Sequence, residues 1–150
     1  MYLIYVNADD DKIIKNGMTL EEFWEILKIN FEDNDFILLE GTQQWFVNWK
    51  ENKTLGHVWA IQSAWANDLP ECVRSMTEYT VYEAGMIEDP IIREEDKGRV
   101  EYLKSFKEFS GDDISIERNG SYLDNMIKEL GLIEKHGKRK NKPVNLRGRV

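Results

Sequence analysis

A chain of 150 residues that is 41% hydrophobic and 11% aromatic holds enough apolar material for one full domain with a real core, which excludes disorder of the whole chain. Its net charge of −8 is unevenly divided: residues 1–133 carry 13 Lys/Arg against 27 Asp/Glu, a net of −14, whereas residues 134–150 carry seven Lys/Arg against Glu134 alone, a net of +6. An acidic body repels phosphate and attracts basic surfaces, the single Cys72 excludes an intrachain disulfide or a cysteine-based zinc site, and no run reaches the roughly 18 apolar residues of a membrane span.

The N-terminal MYLIYVNADDDK has no basic n-region, so Tyr2–Val6 reads as a strand that meets a loop at Asp9-Asp10-Asp11, not as a signal peptide. Thr19 and Glu22 form a capping box for a helix over Thr19–Phe31, with Leu20, Phe23, Trp24, Leu27 and Phe31 at helical spacing. Phe36–Leu39 has strand length. QQWFVNWK alternates, with Trp45, Val47 and Trp49 on one face and Phe46 and Asn48 on the other. HVWAIQSAW alternates too, with Trp59, Ile61 and Trp65 on one face. Joined by the polar ENKTLG turn, the two predict a hairpin that pairs Trp49 with Trp59 and Val47 with Ile61. Most of its aromatics would be core, with Trp45 or Trp65 exposed at a sheet end.

Leu69-Pro70-Glu71 opens a helix to about Ser75, and Tyr79–Ala84 follows as a strand. Pro90 and Arg93-Glu94-Glu95-Asp96 mark a boundary between residues 1–90 and 91–150. Val100, Leu103, Phe106 and Phe109 then predict a helix closed by Gly111, and Asp112–Arg118 a short strand or turn. Ser121 with Asp124 starts a last helix, with Leu123, Met126, Ile127 and Leu130 on one face and Gly131 as its stop.

Few constellations carry chemistry. Asp9-Asp10-Asp11 after a strand, with Asp112-Asp113, is a place for magnesium in phosphotransferases, and Glu40 with Glu51-Asn52-Lys53 has the acid and E-x-K spacing of metal-dependent nucleases. A solvated loop and a hairpin turn account for the same residues, and no cofactor is expected. His57, His136 and Cys72 have no spacing that builds a nucleophile or a metal site. The aromatic hairpin is suited to stacking a ligand between Trp49 and Trp59, or to filling a core.

The segment SYLDNMIKELGLIEKHGKRKNKPVNLRG resembles the end of a winged helix-turn-helix domain. The resemblance implies a recognition helix over Ser121–Leu130, a turn at Leu130-Gly131-Leu132-Ile133, a wing over His136–Lys142 and a return strand at Val144–Arg147. It also implies that Tyr122, Asn125 and Lys128 face a DNA groove, while Lys138, Arg139, Lys140, Lys142 and Arg147 meet nucleic acid. A helix with a glycine stop and a solvated basic tail gives the same pattern.

The sequence thus predicts an α+β fold. A small, mainly antiparallel sheet is packed by one amphipathic helix, and a helical C-terminal part with a basic end follows. The expected function is that of a non-enzymatic, cytoplasmic acidic binding protein of the inhibitor or immunity type, by analogy of size and charge with products of phage or other mobile elements. Its acidic groups Glu32, Asp33, Asp35, Glu88, Asp89, Glu94, Glu95 and Asp96, with Glu71, Glu78 and Glu83, would gather on one side and meet a basic, nucleic-acid-handling protein. A solvated surface that keeps the protein soluble is the other reading of these charges. The alternative function is a DNA-binding regulator acting through Ser121–Arg147.

Overall fold

The computed structural model describes residues 1–49, 55–84, 94–106, 114–116 and 122–136. In chain order the elements are β1 (Tyr2–Ala8), α1 (Asp10–Lys15), α2 (Leu20–Asp33), β2 (Ile37–Leu38), β3 (Trp45–Val47), α3 (Leu55–Asp68), α4 (Pro70–Ser75), β4 (Met76–Ala84), α5 (Glu94–Lys104), β5 (Ile114–Ile116) and α6 (Tyr122–His136). The strands form one sheet in the order β2-β3-β1-β4-β5, and every pairing is antiparallel. This is the α+β fold that the sequence predicts.

β1 lies at the centre, and its period-2 alternation divides the interior. Ile4 and Val6 face a large cluster with Phe23, Leu27 and Phe31 of α2, Val58, Ile61 and Trp65 of α3, and Met126 and Leu130 of α6. Leu3 faces the other way, into a smaller cluster with Trp45, Val47, Tyr82 and the α5 residues Val100 and Leu103. The sheet is therefore covered by α2, α3 and α6 on one face and by α5 on the other. Aromatic rings bind the larger cluster together: Phe31 stacks on Phe46 with centroids 4.0 Å apart and meets Trp65 edge-on at 5.2 Å. Burying each such ring is worth about 2–3 kcal/mol.

Local chemistry sets the element ends. Thr19 caps α2 by accepting from the Glu22 amide at 3.0 Å, as the capping box predicts. Asp9 caps α1, its Oδ1 accepting from the Asp11 amide at 2.8 Å and more weakly from Lys12 at 3.4 Å, so the aspartate triplet opens a helix where a loop is expected. The predicted passage from helix to strand near Ser75 is found at α4 and β4. Pro70 at the first turn of α4 separates it from α3, because proline pre-sets the helical φ and has no N–H to contribute.

The tryptophan hairpin is not formed. Its first arm is β3, with Trp45 and Val47 on the α5 side and Phe46 on the other, but its second arm is α3. Val58, Ile61, Trp65 and the following Leu69 are all buried, a spacing of three and four that belongs to a helix. Ala60, Ala64 and Ala66 favour the same outcome, since alanine is the best helix former and a poor strand former. Val47 pairs instead with Leu3 and Ile37. Trp65 and Trp45 are both buried, and Trp49 is exposed.

Gly131 does not stop the last helix, since α6 continues to His136, and Ile127 is exposed, away from the Leu123, Met126 and Leu130 face. The boundary at residue 90 lies outside the described residues. Beyond it, β5 joins β4, α6 contributes to the larger apolar cluster and α5 to the smaller one.

A Cβ built on Gly131 would meet nothing within 4 Å. Gly131→Ala is therefore expected to raise stability by about 0.5–1 kcal/mol in urea denaturation, because alanine loses less backbone freedom in a helix interior. A left-handed glycine stop would instead be destabilised by the added Cβ.

Candidate partner-binding surface on helix α2

The capping box and apolar stripe of α2 turn Phe23, Leu27 and Phe31 inward, which leaves Glu21, Glu22, Glu25, Lys28, Glu32 and Asp33 outward. Five acidic residues thus share this helix with one lysine. Glu21 and Glu22 in the first turn suit the positive end of the helix dipole. Glu32 and Asp33 occupy the last turn of the helix, which contains no basic residue of its own, and acids there oppose the dipole at a cost of about 0.3–1 kcal/mol for each charge. Lys28 lies 4.0 Å from Glu32, a surface pair of small energetic value.

Beside this stripe is a groove of about 530 Å³. Its floor is apolar, made by Leu20 and Trp24 of α2, Leu38 of β2 and Phe46 of β3, and its polar lining is Asp10, Glu21 and Glu25 with Lys28 and Gln43, so three carboxylates stand against one ammonium. Trp24 is half-buried and is fixed by an edge-on contact with Phe23 at 5.1 Å. An aromatic face bordered by carboxylates suits the long side chain of arginine or lysine, whose stem packs on the ring while its head meets the acids.

The predicted acidic positions do not form one patch. Glu32, Asp33 and Asp35 are exposed at the end of α2, and Glu94 and Glu95 are exposed on α5 across the sheet. Glu88 and Asp89 lie outside the described residues. Asp96 is buried and accepts a hydrogen bond from the Tyr82 hydroxyl at 3.1 Å, so it is no part of an acidic surface. Glu78 is taken up by Arg99, with Oε2 at 2.5 Å from Nη1.

That arginine organises a second cluster, under α5. Nη1 also donates to the Tyr82 hydroxyl at 3.4 Å, and the guanidinium lies 4.3 Å from the centre of the Tyr5 ring. Burial works to lower the pKa of Arg99, but its hydrogen bonds to Tyr82 and Glu78 prevail and raise it. Burial raises Tyr82 well above the ordinary tyrosine value, with Arg99 opposing and Asp96 adding to the effect. A tyrosine that holds its proton more tightly when folded contributes stability that is complete below the unfolded value near 10 and is lost as pH rises above it. Thermal unfolding between pH 8 and pH 11.5 is expected to show a falling midpoint above about pH 10, with a shallower fall in Tyr82→Phe.

Of the predicted nucleic-acid residues, Tyr122 is the first residue of α6, and Asn125 and Lys128 are exposed on that helix. Lys138, Arg139, Lys140, Lys142 and Arg147 lie outside the described residues, as do Glu51, Lys53, Asp112 and Asp113 of the metal readings. The implied turn at Leu130–Ile133 is helical. Among the described residues, no group of three or more His, Cys, Asp or Glu side chains is placed to hold a metal ion. No helix among them is long and apolar enough to cross a membrane.

Sequence reasoning missed Asp10, Glu21, Trp24 and Glu25 as a site. The i, i+4 spacing of Glu21 and Glu25 was visible, but the groove also needs Leu38 and Phe46 from distant strands. Comparison with protein-family models, with curated proteins and with solved structures finds no match.

Proposed function

We propose that this protein is a non-enzymatic acidic binding protein of the inhibitor or immunity kind, which docks the outward face of α2 on a basic, nucleic-acid-handling protein. The observation that carries the reading is the groove beside α2, where an apolar floor containing Trp24 is bordered by Asp10, Glu21 and Glu25, three carboxylates that outnumber the single Lys28 in the same lining. Charges at Glu32 and Asp33 that oppose the helix dipole support it, because helix stability alone does not favour acids there. Docking of this kind draws the partner by long-range attraction and covers the surface that would otherwise hold phosphates.

The test is titration of the isotopically labelled full chain with an arginine-rich peptide, followed by NMR. Chemical-shift changes centred on Asp10, Glu21, Trp24 and Glu25, weakening as salt rises, are the expected result. Changes elsewhere, or none, would count against the reading. Salt-sensitive binding of duplex DNA, with changes on α6 at Asn125 and Lys128, would favour the DNA-binding regulator instead.

A further inference from the structure

The opposite side of the sheet carries a second cavity, of about 830 Å³, walled by Tyr5 of β1, Gln43, Gln44 and Trp45 at the start of β3, and Arg99 and Tyr102 of α5. Its volume lies within the roughly 300–1,000 Å³ usual for ligand sites. Several of its polar groups are held in place. The Tyr5 hydroxyl donates to Gln44 Oε1 at 3.1 Å, and Gln44 Nε2 donates to Asn7 Oδ1 at 3.1 Å, so the amide is pinned at both ends. Arg99 is pinned by Glu78, Tyr82 and the Tyr5 ring through Nη1 and one guanidinium face. Its Nε and Nη2 make no hydrogen bond among the described residues.

Electrostatics narrows what this cavity suits. Glu78 balances the charge of Arg99, so there is no surplus positive charge to hold a free phosphate. What is left is a pair of donors in one rigid plane beside aromatic walls. The exposed Tyr102 ring is tilted 31° from that of Trp45, with centroids 6.4 Å apart.

Gly98, also in the cavity wall, is the independent indication. It sits inside α5, where glycine costs about 1 kcal/mol relative to alanine. A Cβ there would meet nothing within 4 Å, and its φ is not left-handed. Neither packing nor backbone conformation asks for glycine at this position, whereas any larger residue would narrow the cavity.

We propose that this cavity binds a flat heterocycle presenting two adjacent hydrogen-bond acceptors, as on the Hoogsteen edge of guanine, with its ring beside Tyr102 and its acceptors on Nε and Nη2 of Arg99. Guanine offers O6 and N7 side by side to an arginine fork, whereas adenine replaces one acceptor with a donor. This site meets the α2 groove only at Gln43, which lines both, and does not depend on the function of that groove.

Calorimetric titration of the full chain with guanosine, adenosine and inorganic phosphate tests the inference. Guanosine is expected to bind saturably, at least about tenfold more tightly than adenosine or phosphate. Gly98→Leu is expected to weaken guanosine binding at least about tenfold while leaving the melting temperature unchanged or raised, since leucine is the better helix former. Tyr102→Ala, at an exposed position, is expected to weaken it about three- to tenfold through lost stacking. Absence of saturable guanosine binding, equal binding of adenosine or phosphate, or undiminished binding by folded Gly98→Leu or Tyr102→Ala would overturn the proposal.

Discussion

Trp65→Ala is expected to cost about 3–5 kcal/mol for the cavity it opens. The Trp65 side chain is wholly buried, meets Phe31 and Tyr79 edge-on, and donates its indole N–H to Asn30 Oδ1. Its removal takes that donor from the buried Asn30, a loss worth about 1–3 kcal/mol more. Against the roughly 5–15 kcal/mol stability of an ordinary domain, most of the margin would go. Urea denaturation should show a midpoint sharply lowered for Trp65→Ala and less so for Trp65→Phe, which keeps much of the ring packing. Trp49→Ala, at a position that is 40% exposed, should cost less than Trp65→Ala, since part of the ring is already in water and no enclosed cavity is opened. Equal effects at the two tryptophans would contradict the placement of Trp65 at the centre of the helical layer.

The same residue shows where the sequence was legible and where it was not. β1 and α2 follow from local signals: a short β-rich run ended by polar residues, and a threonine cap followed by apolar residues at helical spacing. The alternation of Trp45, Phe46 and Val47 was also sufficient, because a strand buried on both faces still sends successive side chains in opposite directions. The stretch around Trp65 was ambiguous, since Trp59, Ile61 and Trp65 satisfy an alternating pattern while Val58, Ile61 and Trp65 satisfy a helical one. Three alanines settle it as a helix, together with packing against Asn30 and Phe31 of α2. Likewise, no local signal tells β3 to pair with β1 and β2 in place of the segment that follows it. Gly131 reads as a stop because glycine so often ends helices, but nothing after it in α6 prevents the helix from continuing.

The candidate site was half legible. The acidic character of the chain and the carboxylates of α2 could be read directly. Their grouping could not, because it depends on which side of the sheet each helix covers. Glu94 and Glu95 resemble Glu32 and Asp33 in sequence but lie across the sheet from them, and Asp96 turns inward to Tyr82. The rim of the groove joins Asp10 of α1 to Glu21 and Glu25 of α2, which is a tertiary arrangement.

Reversing two charges at that rim should have the largest effect on recognition. Glu21→Lys with Glu25→Lys turns two attractive contacts into repulsive ones beside Trp24, and the affinity for an arginine-rich peptide is expected to fall by about 30- to 100-fold. Both positions are exposed, so the fold should be retained, with only the small loss from placing a lysine near the N-terminus of α2. The matched pair Glu94→Lys with Glu95→Lys makes the same change in net charge on the other side of the sheet. Calorimetric titration of the same peptide into the unaltered protein and the two double variants is therefore the most direct measurement. The α2 account predicts a large loss for the first pair and a change of less than about threefold for the second, as expected of remote screened charges. Equal losses for both pairs, or unchanged binding for the first, would contradict it.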